Sequence, residues 1–254
     1  TGAVKLGNRE FRCWRKGGHG AVDMIQSLLH SCDVYYYVLG EKLGIDRIES
    51  FAKACGFGAP TGIDLPHEKS GLVPSRAWKK RRSGEAWYRG ETLNVSIGQG
   101  YTLVTPLQMA NFVSSLLNGG KLMKPQLLVD AKPEVRGNIP FSEEARKLVL
   151  EGMRVTADAV IGGKTGTAQV VKIRMVGERR QRTAEMAYLE RDHAWIASYG
   201  RKDGKDVVVV VMLEHGGGGS SAAGPVARDV YNILYGTPLG PQPQRAVTRT
   251  VRED

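Results

Sequence analysis

Residues 195–213, Trp-Ile-Ala-Ser-Tyr-Gly-Arg-Lys-Asp-Gly-Lys-Asp-Val-Val-Val-Val-Val-Met-Leu, decide the fold class. Residues 195–199 and 207–213 are rich in aromatic and β-branched side chains, and Asp203-Gly204 between them tolerates the positive φ angles of a tight hairpin. This pattern predicts two antiparallel strands. Just upstream, the chemistry changes after Gly163, and residues 164–173 predict another strand. Just downstream, residues 225–234 place Val226, Val230, Ile233 and Leu234 at helical spacing.

Further upstream the chain reads as helix. In residues 20–56, Val22, Ile25, Leu28 and Leu29 fall at helical spacing, and Val34, Tyr37, Val38 and Leu43 continue it after a break near Ser31. Over residues 46–55, Ile48, Phe51, Ala52 and Cys55 share a face, and Gly56 is a stop signal. Residues 58–88, rich in Gly, Pro and charge, predict a long irregular excursion of the kind that carries function. Thr105 caps the next helix, with Pro106 at its first position and Gln108 completing a capping box. Leu107, Ala110, Val113 and Leu117 give its apolar stripe, and Asn118-Gly119-Gly120 ends it. Ser142 starts another helix through Met153. Helices in a block followed by paired strands predict an α+β domain rather than an alternating parallel one.

The 254 residues suit one large domain or two small ones. At 41% hydrophobic and 24% charged, the chain has the composition of a globular protein, which excludes disorder throughout. The longest apolar run, residues 207–213, is far shorter than the ~20 residues of a membrane helix, and no signal peptide is expected within these residues. The sequence opens on Thr1 and is expected to be a fragment of a longer gene product. Three cysteines, Cys13, Cys32 and Cys55, form no CxxC and do not suggest a disulfide scaffold. A net charge of +10 fits either an anionic partner or a merely soluble basic surface. The basic residues are dispersed apart from 79–82 and 179–182, with no nucleic-acid motif around them, so no nucleic-acid partner is expected.

Lys164-Thr165-Gly166-Thr167 is the strongest local signal for chemistry. On a strand Thr165 and Thr167 share one face and Lys164 takes the other, while Gly166 lets a ligand backbone approach. Two hydroxyls beside exposed N–H groups suit a carboxylate and a developing oxyanion. Ser31-Cys32-Asp33 falls at a helix junction, where Ser and Asp serve either as a cap or as two polar groups in one cleft.

Taken together with Phe11-Arg12-Cys13-Trp14, Gly18-His19-Gly20, Thr61-Gly62-Ile63-Asp64-Leu65, Trp87-Tyr88, Ile97-Gly98-Gln99-Gly100-Tyr101 and Thr105-Pro106-Leu107-Gln108, these motifs form an ordered series. The chain resembles the transpeptidase domain of the penicillin-binding protein 2 family, elongation-specific class B enzymes of peptidoglycan synthesis, from about residue 7 to residue 234. The resemblance implies the serine β-lactamase and transpeptidase fold, an antiparallel sheet packed between helices plus an all-helical subdomain. Residues 1–235 would be the transpeptidase domain, incomplete at its N-terminus, and 236–254 an unstructured tail. It implies a serine acyl-enzyme that cross-links stem peptides and is the target of β-lactams. Ser31 would relay protons toward the leaving amine, Asp33 would orient a lysine or the substrate amide, and Lys164 would supply positive field. Thr165 and Thr167, flanking Gly166, would bind the substrate carboxylate, and the Thr167 N–H would form half of the oxyanion hole. Further implied are a membrane helix outside the chain, a catalytic domain in the periplasm, and a rod-shape glycan polymerase as partner.

Two departures from the family pattern stand out. The only Ser-x-x-Lys, Ser50-Phe51-Ala52-Lys53, follows Ser31 instead of preceding it, so the nucleophile's segment is expected before Thr1. Residues 1–254 would then be inactive by themselves. Residues 157–162 are shorter than the family's approach to its Lys-Thr-Gly strand, which predicts missing residues there. The alternatives are a D,D-carboxypeptidase or β-lactamase-like hydrolase, or a non-catalytic cell-wall scaffold if the whole gene lacks Ser-x-x-Lys.

Cys13, His19 and Cys32, spaced Cys-x5-His-x12-Cys, suit tetrahedral zinc in a structural role, short of a fourth ligand. Some relatives are similar in carrying a zinc near the second motif, with an acid where this chain has Cys13. The other reading is two buried thiols and a histidine bonded locally. Cys55 is read as core.

Overall fold

The computed structural model describes residues 2–154, 161–171, 175–176, 179–181 and 183–236. Strands β1 (Ala3–Leu6) and β2 (Arg9–Arg12) form an antiparallel hairpin with Val4 opposite Phe11. Helix α1 (Met24–His30) opens on Asp23, whose carboxylate accepts from Gln26 N at 2.7 Å, and closes on Ser31 in the left-handed region. Helix α2 (Asp33–Ala54) follows directly and kinks at Gly44, the one residue in it with non-helical dihedrals. Helices α3 (Arg76–Ser83), α4 (Arg89–Ser96) and α5 (Pro106–Leu117) come next. A small ladder of β3 (Lys121–Met123) and β4 (Val135–Asn138) precedes α6 (Glu143–Gly152). The C-terminal part holds β5 (Ile161–Ala168), the two-residue pair β6 (Met175–Val176) and β7 (Arg179–Arg180), then β8 (His193–Lys202), β9 (Lys205–Leu213) and α7 (Gly224–Tyr235).

The expected hairpin is β8–β9. Asp203 and Gly204 both have positive φ, 51° and 75°, the pairing that matches strand twist in a two-residue turn. β5 pairs antiparallel with β8, giving the order β5-β8-β9 with Lys164 opposite Ala197 and Thr167 opposite Ala194. Helix α7 covers one face of this sheet through Ala227, Tyr231 and Tyr235, packed on Val209, Ile196, Val207 and Val211. Ser198, buried in that layer, donates to Val209 O at 2.8 Å. Helix α5 packs on β8 and β9 as well. A second core, Phe11, Tyr37 and Leu93, joins the first hairpin to α2 and α4. The two helices cross closely at Gly40, where a Cβ would fall 2.4 Å from Ser96 Cβ.

The α+β class, the helix capped by Thr105, the helix begun by Ser142 and the break at Ser31 are as the sequence predicts. Four expectations need correction. Residues 58–88 are not wholly irregular, because α3 lies within them. Ser75 caps it by accepting from Trp78 N at 3.1 Å, and buried Lys79 anchors it, 2.6 Å from Glu91 and 4.2 Å above the Tyr88 ring. The strand expected over 164–173 begins at Ile161 and ends at Ala168. On α7 the buried face is Ala227, Tyr231 and Tyr235, whereas Ile233 is 82% exposed and Val226 and Leu234 also face outward. Over residues 46–55 Phe51 is likewise exposed, while Cys55 is buried, as is Ile45 just before that stretch. Residues 157–160 of the segment expected to lack residues, 157–162, and the tail from residue 237 lie outside the described residues.

Candidate active site

The site forms where the α1–α2 junction meets the edge strand β5. At the junction, Ser31 N donates to Leu28 O at 3.2 Å and Cys32 N to Ser27 O at 2.9 Å, the paired bonds of a Schellman helix end. That motif normally places glycine at the left-handed position. Here Ser31 occupies it at φ 51°, ψ 53°, a conformation that costs a residue with a Cβ about 1–2 kcal/mol. Strain of this kind collects at functional sites because the surroundings enforce it.

Lys164 reaches Ser31 from the other element. Its Nζ donates to Ser31 Oγ at 2.5 Å and to the Thr165 carbonyl at 2.9 Å, joining residues 133 positions apart. Asp33, at the start of α2, accepts through Oδ2 from Trp14 N at 2.9 Å. Ser31 and Lys164 are therefore brought into direct contact, while the Asp33 carboxylate, two residues on, is held by Trp14. Thr165 is half-buried and Thr167 exposed on the same strand. β5 is an edge strand, so its outer N–H and C=O groups are available for pairing. A Cβ on Gly166 would meet only Trp195 Cβ at 3.4 Å. The tight approach is behind it, at Gly219, whose added Cβ would lie 2.4 Å from Trp195 O and 2.5 Å from Gly166 O.

Two residues that carried the resemblance without an assigned role also meet this site. Gln99 Nε2 donates to Thr167 O at 2.6 Å, and Gln99 Oε1 accepts from Gln169 N at 3.4 Å. Trp14 Nε1 donates to both His30 O, at 3.1 Å, and Ser31 O, at 3.0 Å. Neither contact is signalled locally, since both depend on chain reversals that no spacing reports. Ser50 and Lys53 stand elsewhere, beyond the Gly44 kink of α2, where both are exposed and Lys53 pairs with Glu49 at 2.6 Å.

Beside the junction, the ligand atoms of Cys13, His19 and Cys32 lie within 4.8 Å of one another. Cys13 Sγ and His19 Nδ1 are 3.6 Å apart, close to the ~3.5 Å edge of a tetrahedron built from zinc–sulfur and zinc–nitrogen bonds. Gly18 and Gly20, both with φ 72°, turn the chain so that His19 points inward. Its Nε2 is buried without a hydrogen-bond partner among the described residues. Burial holds the His19 pKa down, helped by the His30 ring and Arg15, which keeps the imidazole neutral as a ligand. Burial pushes the Cys32 thiol up, against the pull of the Tyr35 and Val34 N–H groups. The donor set fits zinc in chemistry and spacing. All three cysteines are free thiols, and burial raises that of Cys55 to about 12, as suits a core position.

Comparison with known proteins agrees with this geometry. Residues 2–232 match the penicillin binding protein transpeptidase domain. The chain is similar to the peptidoglycan D,D-transpeptidase MrdA of Salmonella typhimurium, 33% identical over an alignment covering 89% of this chain and 40% of that protein. It thus spans less than half the length of that curated relative. Among solved structures it is similar to a penicillin-binding protein, PBP2, of Helicobacter pylori in complex with MreC, with a TM-score of 0.78 and 30% identity over 92% of this chain and 44% of that one. A chain from a peptidoglycan synthase complex, solved for the coordination of polymerization and crosslinking, gives a TM-score of 0.76 and 32% identity over 96% of this chain and 42% of that one.

Proposed function

We propose, from the premise that this chain belongs to the penicillin-binding protein transpeptidase family, that it forms two walls of a serine acyl-transfer site that cross-links peptidoglycan stem peptides. The observation that carries this reading is the 2.5 Å contact between Lys164 Nζ and Ser31 Oγ. A lysine and a serine in direct contact at a strained turn can pass a proton, and the neighbouring strand offers hydroxyls and N–H groups to an anion.

In this reading the nucleophile is a serine of a Ser-x-x-Lys segment outside residues 1–254. Its hydroxyl attacks the carbonyl of a D-Ala-D-Ala bond, losing its proton to the adjacent lysine. The Thr167 N–H stabilises the developing oxyanion, where each such donor is worth about 10²–10³ in rate. The C–N bond then breaks, and Ser31, polarised by the Lys164 ammonium, delivers its proton so that D-Ala leaves as an amine, and takes back the nucleophile's proton from the adjacent lysine. Thr165 and Thr167 hydroxyls hold the terminal carboxylate, and Asp33 orients the substrate side of the cleft. The amine of a second stem peptide attacks the resulting ester, forming the new amide and returning the serine. A β-lactam enters the same path as a mimic of the dipeptide and stops at the ester.

The proposal extends to context. It places the chain in a longer, membrane-anchored protein with its catalytic domain in the periplasm, working beside a glycan polymerase of the rod-shape machinery; the likeness to a complex that coordinates polymerization and crosslinking supports the partner. It extends also to a structural zinc held by Cys13, His19 and Cys32. Holding such an ion, Cys13 and His19 would be tied to Cys32 at the α1–α2 junction, a structural role outside the acyl transfer. Incubating the full-length protein with a fluorescent penicillin tests the main reading. Covalent, saturable labelling is the expected result, and absence of any labelling of folded protein overturns it.

A further inference from the structure

Trp14 is an exposed aromatic, 54% accessible, yet both of its hydrogen-bond donors are committed to residues 30–33. Its backbone N–H holds Asp33 Oδ2 at 2.9 Å. Its indole N–H is shared between the carbonyls of His30 and Ser31 at 3.1 and 3.0 Å. Those carbonyls belong to the end of α1, where the last C=O groups of a helix lack partners within it. The ring lies against His19, 5.4 Å between centroids.

We infer that Trp14 is a positioning residue for the acyl-transfer reaction: its indole N–H locks the left-handed Ser31 turn, and so aims Ser31 Oγ at Lys164. The inference rests on the acyl-transfer reading above. Its physical ground is independent of that reading. A serine at φ 51° persists only where its surroundings over-determine it, and to the two helix-end bonds of the turn Trp14 adds one to the Ser31 carbonyl. The only hydrogen bond to the Ser31 carbonyl reported among the described residues comes from Trp14. Trp14 is also next in sequence to Cys13, so a single short segment touches the metal-ligand set, Asp33 and Ser31 together. Its exposure shows that apolar burial is not its main role.

Trp14→Phe in the full-length protein is the test, since it keeps a ring against His19 and the backbone bond to Asp33 but removes the indole donor. Amide hydrogen exchange is read at residues 31–33, with β8 and β9 as an internal control. The rate constant for penicillin acylation is read separately from the affinity of the non-covalent complex. The expected result is exchange at least tenfold faster at residues 31–33 only, with acylation slowed about 10- to 100-fold at unchanged affinity. Unchanged exchange at the turn overturns the proposal. Slower acylation without faster exchange overturns it too, because Trp14 would then act on the ligand directly. If the unsubstituted protein is not labelled at all, the acyl-transfer reading fails while the exchange result still decides whether Trp14 locks the turn.

Discussion

The two walls of the site are held in different ways. Lys164 and Thr167 stand on a strand paired over its whole length with β8, which is itself paired with β9 and backed by α7. Ser31 and Asp33 stand at a short, strained junction held by two helix-end bonds, the two Trp14 N–H groups and the Lys164 contact, beside Cys13, His19 and Cys32. A ladder distributes its hold over many bonds, so no single side chain is critical to its shape. A junction of this kind has few bonds to lose. The strand wall should therefore fail through its chemistry and the junction wall through its geometry.

Removing the chemistry of the strand wall gives the largest expected effect. Lys164→Ala should slow penicillin acylation by about 10²–10³-fold while leaving the circular dichroism spectrum and melting temperature nearly unchanged. A large drop in melting temperature would show that the strand depends on this side chain for its shape and would erase the contrast. Next comes removal of the metal tie. Chelation, or Cys32→Ser, should cost about 3 kcal/mol if a tightly held ion is lost, a melting shift of about 6–12 °C at this chain length. Exchange protection should fall around residues 13–33 and persist in β8 and β9, and elemental analysis of the dialysed protein should give one zinc per chain. A stoichiometry near zero would remove the metal from the account.

The strand wall has a geometric weakness behind it, at Gly219. An added methyl there meets two carbonyl oxygens at 2.4 and 2.5 Å, and backbone cannot move as a side-chain end can. Gly219→Ala should destabilise by about 1–3 kcal/mol, measured by denaturant unfolding. The smallest effect is the most diagnostic of strain. Ser31→Gly and Ser31→Ala lose the same hydroxyl, but only glycine relieves the left-handed conformation. The glycine variant should be the more stable by about 1 kcal/mol, reversing the usual helix preference for alanine. Equal stability would mean the turn is not strained.

The same contrast decides what could be read from the sequence. The β8–β9 hairpin and α5 were legible because their signals are local: a turn pair between β-branched runs, and a cap, a proline and a capping box in order. Helix α3 was hidden by its composition, Arg-Ala-Trp-Lys-Lys-Arg-Arg-Ser, which has no apolar stripe. It is held instead by buried Lys79 between Glu91 and Glu85, a tertiary pairing with no local trace. On α7 the apolar spacing chose Ile233 and Leu234, but tyrosine rings reach further into the sheet, and Tyr231 and Tyr235 won the buried face. At the site, the motifs named Ser31, Asp33, Lys164 and Thr167 through residue type and family resemblance. The roles of Trp14 and Gln99 needed the fold, because each acts on backbone far away along the chain.

The central claim is that Ser31 and Lys164 work as one unit. A double-mutant cycle in the full-length protein, Ser31→Ala with Lys164→Ala and the acylation rate constant as readout, measures that directly. The account predicts that the double variant is no more than about threefold slower than the slower single variant, because either substitution already breaks the same contact. Losses that multiply across the two substitutions would show two independent groups, and would contradict it.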